Sequence, residues 1–256
     1  MRLFFIGDII GEPGRKKIRE CLHEIIKKEG IFFTIAQGEN IAGGIGVTEK
    51  TAQEIFNAGV DCITTGNHVW KYKEIYPYLE TECRILRPAN YPEGAPGRGY
   101  YIYEKMGIKI GVINLEGRVF MRPLDDPFRV GKKIVEEIKK ITKNIFIDFH
   151  AEATSEKRTL AFYLGDHVTG IIGTHTHVPT ADEQIINNRC AYITDVGMVG
   201  SIDSIIGMKK EEVLKQFLFQ MPQKFQVAKH NITGNAVIID FDEEKGIALG
   251  IRRFQF

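Results

Sequence analysis

The sequence predicts an α/β fold with mixed β-sheets, and three observations carry that reading. Short apolar runs alternate with longer amphipathic stretches through the first third of the chain, the pattern of parallel strands joined by helical crossovers. The tail is instead rich in strand-like runs, which predicts a mixed second sheet packed against the first. A chain of 256 residues with 43% hydrophobic and 26% charged residues has ordinary globular usage and can bury a large core.

Arg2–Ile6 is a short aliphatic and aromatic run ended by Gly7, which reads as a buried strand. Residues 15–28 place Ile18, Leu22, Ile25 and Ile26 at helical spacing, with charges on the other face. A strand at 32–37, a helix at 48–57 and a strand at 62–65 follow. Residues 87–99 carry Pro88, Pro92, Pro96, Gly94, Gly97 and Gly99, an irregular excursion. Residues 100–103 and 109–114 read as a hairpin around Lys105-Met106-Gly107. A helix at 130–140 leads to a strand at 145–149 and an apolar run at 168–173. Further strand-like stretches lie near 183–187, 190–194, 225–229, 234–241 and 246–254. No repeat, linker or charge block divides the chain, so residues 1–256 are expected to form one domain.

Charge narrows the partners. Lys and Arg number 34 against 33 Asp and Glu, a net +1, so neither duplex nucleic acid nor an anionic membrane is favoured. No window approaches the roughly 18 apolar residues of a membrane span. The apolar start, Met1 to Ile6, meets Gly7-Asp8 at once, unlike a secretory signal. Cys21, Cys62, Cys83 and Cys190 are scattered without a C-x-x-C pair, so free thiols in a cytoplasmic protein are expected.

The chemistry lies where polar residues follow strands, because ligands of open α/β sheets gather beyond the carboxyl ends. Asp8 follows the first strand, Glu39-Asn40 the second and Asn67-His68 the third. His150 follows the run 145–149, and His175 and His177 follow 168–173. Asp8, Glu39, Asn40, Asn67, His150, His175 and His177 make seven nitrogen and oxygen donors. One tetrahedral ion needs about four, so the set suits two adjacent metals sharing a bridging carboxylate, a layout fit for in-line displacement at phosphorus. Imidazole, carboxylate and amide together favour Fe or Mn, with Zn also accommodated, over Mg. His175 and His177 are two apart, so in an extended segment both rings point the same way. Asp148 precedes His150 by two on one strand face and is a candidate support for that ligand. Gly43, Gly44 and Gly46 suit either a phosphate cradle or a tight turn.

These residues resemble the calcineurin-like metallophosphoesterases, and among them the YmdB-like branch. Gly7-Asp8, Gly38-Glu39-Asn40, Gly66-Asn67-His68, His150 and Gly173-x-His175-x-His177 match the family's succession of motifs. The stretches GDIIGEPGR, GENIAGGIGVT, TTGNHVW, DFHAEATSEK and TDVGMVGS are similar to the branch and extend over nearly the whole chain. Ile10 stands at the position of the family's first histidine, with Asn40 as its substitute; Glu39 replaces the usual bridging Asp; and Val69 follows His68 where a carboxylate often sits.

The resemblance implies mixed β-sheets packed as a sandwich flanked by helices. It also implies two metal ions per chain, one held by Asp8, Glu39, Asn40 and His177, the other by Glu39, Asn67, His150 and His175. A metal-activated hydroxide would attack phosphorus while His68 protonates the departing alkoxide. The implied substrates are small phosphodiesters, 2′,3′- and 3′,5′-cyclic nucleotides, and the protein could assemble as a homo-oligomer. A phosphomonoesterase or protein phosphatase would share every ligand, and a signalling protein could use the same metals to organise a partner surface.

Overall fold

The structure is a computed structural model describing residues 1–256. The chain opens with β1 (Arg2–Ile6), β2 (Asp8–Ile9), α1 (Gly11–Glu29), β3 (Phe33–Gln37), α2 (Glu49–Asn57), β4 (Cys62–Thr64), α3 (Ile75–Thr81) and β5 (Ile85–Leu86). Next come β6 (Tyr100–Lys105), β7 (Ile108–Glu116), α4 (Pro127–Ile138), β8 (Ile145–His150), α5 (Thr154–Leu164) and β9 (Gly170–Thr174). It closes with β10 (Gln184–Ile186), β11 (Cys190–Ile193), β12 (Met198–Ser201), α6 (Lys210–Phe219), β13 (Ile232–Asp242) and β14 (Ile247–Gln255). No helix is long and apolar enough to cross a membrane.

Two mixed sheets result. One has the order β2-β12-β13-β1-β3-β4-β5, with β14 on β13; the other runs β10-β11-β9-β8-β7-β6. The expected parallel crossovers are present: β1 pairs β3, β3 pairs β4, β7 pairs β8 and β8 pairs β9, all parallel. The β6–β7 hairpin turns at Met106-Gly107, both at positive φ (50° and 80°), the backbone that matches strand twist in a two-residue hairpin.

Strand alternation builds the layers. Leu3 and Phe5 of β1 face a core shared with Val112, Phe146 and Ile172 of the other sheet. Phe4 and Ile6 point the opposite way, to Ile18, Leu22 and Ile55 of α1 and α2. Ile145, Ile147 and Phe149 of β8 likewise face α4 and α5 through Ile134, Val135 and Leu160. The result is helices, sheet, sheet, helices: the expected sandwich flanked by helices.

Three details differ from the sequence expectation. The tail strands do not form a separate sheet: β12, β13 and β14 complete the first sheet, while β10 and β11 extend the second. Residues 225–229 form no strand and contribute one isolated bridge, Val227 to Met208. Periodicity does not predict helices α3, α5 and α6. In α6 only Val213 is buried, and α5 buries Glu156 and Lys157 beside its apolar residues. Neither therefore carries a clean apolar stripe.

Candidate metal centre

At their carboxyl ends, the strands' inward-facing positions change from apolar to polar. Gln37 of β3, Asp148 and His150 of β8 and Thr174 of β9 continue the inner faces that hold Ile35, Phe146 and Ile172. Asp8, the first residue of β2, and the loops just beyond the other strands supply the rest. Asp8, Glu39, Asn40 and His150 are buried, whereas Asn67, His68, His175 and His177 are part-exposed. All eight sequence-expected residues meet here, drawn from both sheets.

Glu39 is the hub. Its Oε1 lies 3.0 Å from His68 Nδ1 and 3.3 Å from His150 Nε2. Its Oε2 accepts from the His68 backbone N–H at 3.0 Å. Asn40 Nδ2 reaches Glu39 Oε1 (3.2 Å) and His177 Nε2 (3.4 Å). On the other side, Asn67 Oδ1 is 3.2 Å and His175 Nδ1 3.0 Å from His150 Nε2. Asp8 Oδ2 accepts from the His175 N–H at 3.2 Å, and Asp8 Oδ1 lies 3.7 Å from His177 Nε2. Glu39, His150 and His175 bring donor atoms within 4.8 Å of one another.

Hydrogen bonds at the far nitrogens fix which ring atoms face inward. His177 Nδ1 donates to Ile206 O (2.9 Å), leaving the Nε2 lone pair toward Asp8 and Asn40. His175 Nε2 pairs with Glu152 (3.1 Å), leaving Nδ1 inward. His150 Nδ1 meets Thr174 Oγ1 (3.0 Å), whose hydroxyl donates to Asp148 Oδ1 (2.7 Å). Asp148 thus supports His150 through Thr174, one residue more indirectly than expected. Partners of this kind orient metal-binding imidazoles and raise their basicity.

The charges point the same way. Burial would raise the Glu39 carboxyl, yet the neighbouring His150 and His68 hold it well below the usual carboxylate range. Burial would lower His150, but Glu39 outweighs it and the ring is pushed up to about 10. A proton on Nε2 there balances Glu39 as a cation would. His175, pushed down to about 3 by burial and then by His150, stays neutral with its Nδ1 lone pair turned toward His150 Nε2. Burial raises the Asp8 carboxyl, and its Oδ1 has no hydrogen-bond partner. A buried acceptor without a donor, beside inward lone pairs, is a chemical environment suited to a cation.

Two expectations need correction. His175 and His177 do not share an extended segment: both have positive φ (102° and 66°), so they lie in a left-handed turn beyond β9 and reach different neighbours. His68 does not lack a carboxylate: Val69 is buried in the core, and Glu39 takes that place while Asn40 Oδ1 lies 2.9 Å from His68 Nδ1. The glycine run 43–46 forms a turn closed by Ala42 N–H to Gly46 O at 2.8 Å. Residues that sequence reasoning missed are Gln37, whose Nε2 is 3.1 Å from His150 Nδ1, together with Thr174 and Glu152. Gln37 and Thr174 are the last residues of their strands, a polar-at-strand-end signal that was there to find.

A family model described as YmdB-like protein matches residues 4–254. A 2′,3′-cyclic-nucleotide 2′-phosphodiesterase of Bacillus subtilis (strain 168) is 46% identical over 253 residues, 99% of this chain and 96% of that protein. The crystal structure of a hypothetical protein from Thermus thermophilus has a TM-score of 0.94 at 40% identity, covering 100% of this chain and 99% of that one. The crystal structure of a novel phosphatase from Mycoplasma pneumoniae has a TM-score of 0.94 at 32% identity, covering 100% and 93%.

Proposed function

This chain belongs to the YmdB-like family of calcineurin-like metallophosphoesterases, and on that premise we propose that it is a binuclear metal-dependent phosphodiesterase acting on cyclic nucleotides. The observation that carries the reading is the convergence of seven donor residues around one shared carboxylate, Glu39. Asp8, Glu39, Asn40 and His177 would hold one ion, and Glu39, Asn67, His150 and His175 the other. The donor set suits Fe or Mn, with Zn also accommodated. When bound, the metals supply Lewis acidity, acidifying water and taking up charge on phosphoryl oxygens.

The protein's own groups do the rest. Asp8 and Glu39 bring two negative charges to the floor of the site, where the buried imidazole of His150 orients the second of them. His68 Nδ1 is engaged by Glu39 and Asn40, so Nε2 is the nitrogen left to pass a proton to the leaving alkoxide. Because the ligands come from both sheets, we treat residues 1–256 as one metallophosphoesterase domain. Its four cysteines, all free, suit a reducing cytoplasm.

The test is turnover by the metal-reconstituted protein on 2′,3′-cAMP, 3′,5′-cAMP, bis-nitrophenyl phosphate and nitrophenyl phosphate. Preferential hydrolysis of the diesters, with cyclic nucleotides among them, is expected. Turnover confined to the monoester would move the assignment to a phosphomonoesterase.

A further inference from the structure

Beneath the turn that carries His175 and His177 lies an ion pair with almost no access to water. Lys157 of α5 is 1% exposed and Asp195, between β11 and β12, 0%. Lys157 Nζ donates to Asp195 Oδ2 (2.8 Å) and to Thr174 O (2.8 Å). Asp195 Oδ2 also accepts from the Thr176 N–H (3.0 Å), and Oδ1 from the Gly197 N–H (2.8 Å). The Asp195 backbone continues the grip, its N–H donating to Thr180 Oγ1 (2.9 Å) and its O accepting from the Thr180 N–H (3.0 Å). The chain is therefore held immediately before His175, between the two histidines, and again at Thr180.

These contacts need a purpose. A buried ion pair is weak evidence for stability, because desolvation offsets most of its attraction. The turn, however, needs outside support: two neighbouring histidines of the site have left-handed backbone, φ 102° and 66°, which non-glycine residues keep only where their surroundings over-determine them.

We propose that the Lys157–Asp195 pair is a positioning device that fixes the left-handed turn, so that His175 and His177 each reach a different metal. The proposal rests on the metal-centre reading above. It predicts that loss of the pair weakens both metal positions together, whereas loss of a ligand confined to one position does not.

The experiment titrates Mn²⁺ into the metal-stripped full chain and reads the free ion by electron paramagnetic resonance. Parent, Lys157→Met, Asp195→Asn and the double variant are compared, and thermal melting of the same metal-free samples records the fold. The expected result is about 10–100-fold weaker Mn²⁺ binding in the variants, the range typical of groups that orient metal ligands. A lowered melting temperature with parental Mn²⁺ affinity overturns the proposal, because a merely structural pair moves stability alone. The double variant removes both charges at once and so leaves no orphaned ion. Should it fail to fold, Lys157→Arg, which keeps the charge but displaces the donors, takes its place, and unchanged affinity there also overturns the proposal. A parent that takes up no Mn²⁺ overturns the metal-centre reading and this proposal with it. A parent that binds Mn²⁺ alongside variants that bind equally well overturns this proposal alone.

Discussion

Glu39 touches His68, Asn40 and His150 and is the carboxylate proposed to serve both metal positions, so it is the residue at which one atom change should cost most. Glu39→Gln keeps the volume and removes the charge that balances His150. It should lower metal content at both positions and reduce turnover by more than the roughly 10–100-fold of an orienting partner. Elemental analysis and kcat on a phosphodiester check this, and two metals with parental turnover would refute the bridge. Asn40 and Ile10 form a second contrast. Asn40→Ala should weaken the position shared with Asp8 and His177 more than the other, seen as loss of one metal per chain on dialysis. Ile10 is 0% exposed and packed in the core, so Ile10→Ala should cost stability, about 2–5 kcal/mol, with metal content retained. His68 separates chemistry from scaffolding. His68→Ala should keep both metals and lose about 10²–10⁴ in rate on a nucleoside diester. The loss should shrink on nitrophenyl esters, whose leaving group departs without a proton. An equal loss on both substrates would assign His68 to holding the phosphate instead.

The strand ends place these residues only because the glycines beside them allow contact. A Cβ on Gly66 would lie 2.2 Å from His150 Cδ2 and 2.6 Å from Glu39 Oε2, so the loop after β4 passes directly against two of the candidate ligands. At Gly173, in β9, a Cβ would meet Thr194 O at 1.8 Å, where β9 runs beside its parallel neighbour β11 just past that strand's end. Gly66→Ala should therefore displace His150 and Glu39. Loss of metal binding is expected together with about 1–3 kcal/mol of destabilisation from overpacking. Metal analysis and urea unfolding of the metal-free variant measure the two effects, and retention of both metals would show that the loop can shift to make room. The helices act less directly: α1 and α2 cover one sheet, α4 and α5 the other, and of these α5 alone sends a charged side chain, Lys157, beneath the histidine turn.

Across the whole molecule the centre joins the two sheets, with Asp8, Glu39 and Asn67 following strands of one and His150 and His175 lying on or beyond strands of the other. Metal bound there should stabilise the sandwich as a unit. At free metal 100 times its dissociation constant, one site is worth about 2.7 kcal/mol, a shift of roughly 5–10 °C for a chain of this size. Scanning calorimetry with and without chelator should show that shift in a single transition, and an unchanged Tm would remove the metals from the folding balance. Much of this was legible in the sequence. Local periodicity defined β1, α1, β3 and α2, because each buries its apolar residues at its own period, and the motifs named eight polar residues that the fold brings together at the strand ends. Tertiary structure alone decided the rest. The tail strands divide between two sheets: β13 pairs β1 at the other end of the chain, whereas β11 pairs the nearby β9, and no local pattern encodes which partner a strand takes. Lys157 and Asp195 grip the histidine turn from α5 and from beyond β11, 17 and 19 residues from the backbone groups they hold. A lysine reads as solvated until the fold closes over it. His68 gains its carboxylate in the same way, from Glu39 across a strand boundary instead of from its own neighbour. Sequence thus named eight of the groups that meet in the site, and the packing of two sheets added Gln37, Thr174 and Glu152 and specified the distances, tautomers and charge.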